Sequence, residues 1–172
     1  LELEEIPHCD TINDVFEKIK PEEIEEIIQY MIKKMIRNKM LDKYKIRDKY
    51  YHIVVDGTGL ATSRKRYNEK CLVKNKTDKN GNEYQEYSTY VLEAKLVVGE
   101  MVFSIGSEFI ENESEDTSKQ DCEINAFKRL SEKIKNTYPR LKIVIGADAL
   151  YASKSIMDIC KENGWKYIIR FK

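Results

Sequence analysis

Two short apolar runs constrain this chain more than any other feature. Tyr51-His52-Ile53-Val54-Val55 leads into Asp56, and Leu141-Lys142-Ile143-Val144-Ile145-Gly146-Ala147 leads into Asp148. Both runs are too short for helices and rich in β-branched residues, so they read as interior strands of a sheet. A carboxylate at the end of a buried strand is costly to desolvate unless something pairs with it. Two such acids side by side repel, and a divalent cation held by both removes the conflict. The structural alternative is that each aspartate caps the turn after it, which Asp56-Gly57 and Asp148-Ala149-Leu150 both permit.

The chain has 172 residues, enough for one domain with a real core and a small appendage. With 41% hydrophobic and 35% charged residues it reads as a soluble globular protein, and the 7 glycines and 3 prolines argue against long disordered linkers. No apolar run is long enough to span a bilayer. The acidic start Leu1-Glu2-Leu3-Glu4-Glu5 has no secretory pattern, so the cytoplasm is the expected location. The chain begins without Met and stops at Phe171-Lys172 inside an expected strand, and it reads as a piece of a longer protein.

Cys9, Cys71, Cys122 and Cys160 are scattered, and His8 and His52 add no ligand spacing, so reduced structural thiols are expected rather than a zinc site. The 30 basic and 30 acidic residues balance, but they are not evenly spread. Residues 61–80 carry Arg64, Lys65, Arg66, Lys70, Lys74, Lys76 and Lys79 against Glu69 and Asp78. Residues 108–123 carry Glu108, Glu111, Glu113, Glu115, Asp116, Asp121 and Glu123 against Lys119. One basic loop and one acidic loop are therefore expected.

Residues 1–48 read as a helical N-terminal segment. Asp10 or Thr11 can cap a first helix, and Pro21 opens a second whose apolar stripe is Ile24, Ile27, Ile28, Met31, Ile32 and Met35. Glutamates crowd its start and Lys33, Lys34, Arg37 and Lys39 its end, which complements the helix dipole. From residue 49 the pattern changes to strands: His52 to Asp56, about Thr89 to Val98, and Met101 to Ile110 after a Gly99-Glu100 turn. A helix of about Lys119 to Tyr138 follows, then a strand Leu141 to Ala147, a short helix capped by Ser153 and ended by Gly164, and a strand Trp165 to Phe171. The expected fold is α/β: a mixed five-stranded sheet in the order β-β-β-α-β-α-β, with helices on its faces. A crossover helix would set the fourth strand parallel to one or more of its neighbours, and pairing with the first strand would bring Asp56 and Asp148 to one end of adjacent strands.

This layout resembles the ribonuclease H-like fold and, more narrowly, the catalytic domain of DDE transposases from bacterial insertion sequences. The resembling stretches are Val54-Val55-Asp56-Gly57-Thr58-Gly59, Leu92-Glu93-Ala94-Lys95-Leu96, Ala147-Asp148-Ala149-Leu150-Tyr151 and Trp165-Lys166-Tyr167-Ile168-Ile169-Arg170. They cover most of 49–172, which would be a catalytic domain incomplete at its C-terminus. The resemblance implies metal-dependent DNA strand cleavage and transfer at transposon ends, with DNA ends and target as partners and a homodimer as a candidate assembly of the full-length protein. Asp56 and Asp148 would be the first two catalytic acids and would hold Mg2+ or Mn2+, as a pair of ions about 3.5–4 Å apart. Tyr151 fits the family's Asp-x-x-Tyr pattern, and the family's third acid, a Glu on a later helix, is expected beyond Lys172. Arg64, Lys65, Arg66, Lys70, Lys74 and Lys76 would contact the DNA backbone close to Asp56.

Three alternatives stay open. A plain ribonuclease H-like nuclease could take a third carboxylate from Asp121 or Glu123. Asp56-Gly57-Thr58-Gly59 is similar to the phosphate-binding turn of sugar and acetate kinases, although the chain carries no second half for a nucleotide. A non-catalytic remnant would bind DNA or another subunit without cleaving. Glu93 and Lys95 share a strand face and are expected to form an exposed ion pair.

Overall fold

The computed structural model describes residues 7–112 and 120–170. Glu113, Glu115, Asp116 and Lys119 of the acidic stretch, the first six residues, and Phe171 with Lys172 lie outside them. The elements are α1 (Cys9–Phe16), α2 (Pro21–Arg37), β1 (Tyr51–Ser63), β2 (Leu72–Thr77), β3 (Glu83–Val98), β4 (Met101–Ile110), α3 (Glu123–Thr137), β5 (Ile143–Ala147), α4 (Lys154–Glu162) and β6 (Lys166–Ile169).

Local chemistry sets the helix starts. Pro21 occupies the first turn of α2, where its missing N–H costs nothing, and Glu23 accepts from the Lys20 N–H. Ser153 accepts from the Ile156 N–H to open α4. α1 differs from expectation: it starts at Cys9, and the His8 imidazole, not Asp10 or Thr11, accepts from the Asp10 N–H at 3.3 Å.

β3 is antiparallel to both β1 and β4, while β1, β5 and β6 run parallel, so the order β4-β3-β1-β5-β6 is the ribonuclease H-like sheet. There is one strand more than expected. β2 lies inside the polar connection and pairs antiparallel with the first half of β3, through a turn at Asp78–Asn82 in which Asp78 accepts from the Asn80 and Asn82 N–H groups. Only Leu72 of β2 is buried, so the strand leaves no apolar alternation to read.

The core sits on one face of the sheet. Ile53 and Val55, Leu92, Ala94, Leu96 and Val98, and Ile143 and Ile145 are all buried, alternate along their strands, and share one cluster with Phe127, Leu130, Ile156 and Ile32 from the helices. Each fully buried Leu or Ile contributes about 1.5–3 kcal/mol. Of the alternate positions, Val144 is buried, while His52, Val54, Val91, Glu93, Lys95 and Val97 are only half-buried. Among the described residues, the helices that add buried side chains to the cluster therefore serve this one face, where both faces were expected to carry helices.

Candidate functional site

β1 and β5 run side by side in parallel, with Tyr51 opposite Ile143 and Val54 opposite Gly146. Two residues further along each chain stand Asp56 and Asp148. The register therefore sets them at the same level on neighbouring strands, which in a sheet lie about 4.8 Å apart. Gly146 makes room for the His52 imidazole on the neighbouring strand: a Cβ there would lie 2.6 Å from His52 Nε2.

Neither aspartate is buried; both are exposed at the open end of the β1–β5 pairing. The desolvation expected from the apolar runs does not reach the carboxylates. Asp148 leaves β5 and caps the next turn, its Oδ1 accepting from the Leu150 N–H at 2.8 Å, as the turn-capping alternative anticipated. A carboxylate has room for further partners after one such bond. Asp56 does not end its strand. β1 continues to Ser63 because β3 goes on pairing with it, from Asp56 opposite Glu93 to Ser63 opposite Tyr87. Gly57, Thr58 and Gly59 lie extended within this ladder, so the phosphate-binding turn of the kinase alternative is not formed.

Asp56 thus has an acid across the ladder on one side, Glu93, and Asp148 level with it on the other. Like charges directly opposite are destabilising. Glu93 is relieved by Lys95, whose Nζ lies 3.0 Å from its Oε2, the expected ion pair.

A third carboxylate approaches from the core side. Glu123 opens α3, and its side chain lies against Gly57, where a Cβ would come within 2.9 Å of it. Its Oε2 accepts from the Tyr151 hydroxyl at 2.6 Å. Burial, then the bond to Glu123, and then the charges of Glu123, Asp56 and Asp148 push the Tyr151 phenol far above its ordinary range, so it stays protonated and donates. Asp121, the other acid named for this role, is committed elsewhere. Arg129 binds it at 2.7 Å and holds Glu108 at 2.8 Å. Burial raises the Asp121 carboxyl and the Arg129 hydrogen bond lowers it, with a net shift below the usual range. The described acids of the 108–123 stretch are therefore all engaged, since Glu111 pairs with Lys70 at 3.0 Å.

Among the described residues, no three His, Cys, Asp or Glu side chains converge into a group that could hold a metal ion. The donors at the sheet end are nonetheless hard carboxylate oxygens, the type that magnesium prefers. Magnesium commonly takes only one or two carboxylates and completes its shell with water and phosphate.

Arg64 lies further away than expected. β1 leaves Asp56 as a ribbon with β3, so Arg64 is roughly 26 Å along the strand from Asp56 at about 3.3 Å per residue. The Arg64 guanidinium stacks over Tyr84 at 4.5 Å and that of Arg66 over Tyr87 at 4.9 Å. The Lys65 N–H donates to Ser63 Oγ. Lys70 and Lys76 are paired with Glu111 and Glu86. Lys74 sits over Tyr90 at 5.6 Å and is the one basic residue of the six lining a cleft of about 310 Å3 with Tyr90, Ile110, Glu123 and Leu150.

No helix among the described residues is long and apolar enough to cross a membrane. No family model matches the chain, and no curated protein matches it. Two solved structures are similar to it. The catalytic domain of Mos1 mariner transposase aligns with a TM-score of 0.38 and 9% identity over 96% of this chain. The Mos1 transposase paired-end complex with the left transposon end aligns with a TM-score of 0.37 and 10% identity over 97% of this chain. The chain spans 65% of the first protein's length and 45% of the second's.

Proposed function

We propose that this chain is the catalytic part of a transposase that cleaves DNA and transfers its strands at transposon ends with the help of a divalent metal. The observation that carries the reading is the register of β1 against β5, which sets Asp56 and Asp148 level on adjacent parallel strands. These two residues would hold Mg2+ or Mn2+. Bound there, the metal would supply polarisation of the scissile phosphate and activation of the attacking water or hydroxyl. Asp148 keeps one oxygen on the Leu150 N–H, which fixes the direction of the other. The arginines stacked along the β1–β3 ribbon would bind the DNA backbone with little sequence preference.

The test is Asp56→Asn and Asp148→Asn in the full-length parent. Each variant is expected to lose more than about 100-fold in strand cleavage, beyond the cost of losing an outer-shell partner. Undiminished cleavage by either one ends the reading.

A second reading has its own observation. Glu123 reaches the Asp56-Gly57 level from α3, as a plain ribonuclease H-like nuclease would require of a third acid. Glu123→Gln separates the two. It abolishes cleavage if this carboxylate completes the site and spares it if an acid beyond Lys172 does.

A further inference from the structure

Six basic side chains from three segments meet at the sheet end opposite the acids. Arg37 and Lys39 come from the end of α2 and the residues just past it, Lys45 and Lys49 from the connection to β1, and Arg140 and Lys142 from the approach to β5; together they line a basin of about 430 Å3. Tyr51 lies in its wall, five residues before Asp56, so the basin is about 17 Å from that aspartate along β1.

Packing does not account for this charge. Asp42 and Asp48 are the acids of the lining, which leaves the basin a net charge of +4. Asp42 is already taken, by Lys45 at 2.7 Å and by the Tyr51 hydroxyl at 2.9 Å. Arg37, Lys39, Arg140 and Lys142 form no ion pair among the described residues. Nor does α2 need them as a cap, because the carbonyls of Lys34, Met35 and Ile36 accept from the N–H groups of Asn38, Met40 and Lys39. The backbone here is also strained. Among the described residues, Lys39, Arg47 and Asp48 are the non-glycine positions in the left-handed region, with φ of 58°, 51° and 52°. Lys39 and Asp48 line the basin and Arg47 adjoins it. Such strain collects where a site must be held in one shape.

The lining identifies the ligand class. The guanidinium groups of Arg37 and Arg140 offer forked donors that match phosphate oxygens in pairs. The net charge calls for more than one phosphoryl group. Tyr51 is the aromatic residue of the lining and is 5% exposed, so no open ring is offered to a nucleobase. The concave shape suits a compact ligand better than the convex edge of a duplex. We propose that this basin binds a free oligophosphate of two or more phosphoryl groups. It shares no residue with the carboxylate end of the sheet, and the inference does not depend on the proposed chemistry.

Isothermal titration calorimetry of the intact chain with tripolyphosphate tests it, with circular dichroism melts confirming that each variant folds. The expected result is saturable binding at about 1–100 μM, weakened at least about 10-fold by Arg37→Gln and again by Arg140→Gln. Lys161→Gln with Lys166→Gln, at a groove elsewhere on the surface, should leave the affinity unchanged. An absence of saturable heat overturns the proposal. So does equal weakening by the two lysine substitutions, which would make the attraction a general one. It is also overturned if a short DNA duplex displaces tripolyphosphate and itself loses affinity in the Arg37 and Arg140 variants, since the basin would then grip a nucleic-acid backbone.

Discussion

The Tyr151 hydroxyl donates to Glu123 across 2.6 Å while its own ring is fully buried, edge-on to Phe127. This bond ties the start of α3 to the segment that follows β5, and so couples the core to the acids. Tyr151→Phe keeps the ring and deletes the bond, and urea unfolding should register a loss of about 1–3 kcal/mol. Gly57→Ala is expected to reproduce part of that loss, since its Cβ would displace the Glu123 carboxylate. Parent-like stability of Tyr151→Phe would mean that the bond contributes nothing.

Asn112 is buried and joins three segments. Its Nδ2 donates to the Cys71 carbonyl at 3.1 Å, its Oδ1 accepts from the Asp121 N–H at 3.1 Å, and its own N–H donates to the Lys70 carbonyl at 2.8 Å. Asn112→Leu strands a buried carbonyl and a backbone N–H, with an expected cost of about 2–4 kcal/mol. Thermal melts that shift by less than the parent's own replicate scatter would contradict this.

Burial lowers the pKa of His52 below the ordinary imidazole value of 6.5. The unfolded chain therefore binds a proton that the folded chain resists. This contribution to stability is present above the unfolded value and is lost as pH falls through 6.5 and towards the folded value. Denaturant midpoints should fall with acidity across that window, and His52→Gln should flatten the decline. An identical slope in parent and variant would assign the acid sensitivity to other groups.

Ser88 is fully buried at the junction where β3 faces β1 and β2, and its hydroxyl has no hydrogen-bond partner among the described residues. Removing an unsatisfied polar atom restores its desolvation cost, so Ser88→Ala should leave stability unchanged or raise it by up to about 1–2 kcal/mol. A clear loss in chemical denaturation would show that the hydroxyl finds a partner in solution.

The strands that the sequence announced are those with two-residue periodicity or a continuous apolar run: β4 is found over Met101–Ile110 as expected, and β5 and β6 fall within their expected spans. β2 and the upper half of β1 could not be read in this way. They are held by backbone pairing to β3 and bury almost nothing, so their side chains are free to be polar. That Asp56 and Asp148 reach the same end of neighbouring strands was legible once the fourth expected strand was paired with the first; their level register comes from the β1–β5 ladder. Their exposure was not legible, because burial of a strand's apolar residues says little about the residue just past its last neighbour. Glu123 was one of two acids named from the sequence. What separates them is Arg129, whose guanidinium occupies Asp121 from two turns along α3, a contact that charge counting cannot see.

β1 is paired with β5 from Tyr51 to Val54, with β3 as well at Ile53 and Val54, and with β3 alone from Val55 to Ser63. Amide protons in its lower half should therefore exchange far more slowly than those in its upper half, where opening breaks a single ladder. The molecule is stiff beneath the aspartates and compliant above them, so a bulky body resting on the ribbon would flex it before disturbing the carboxylates at its root.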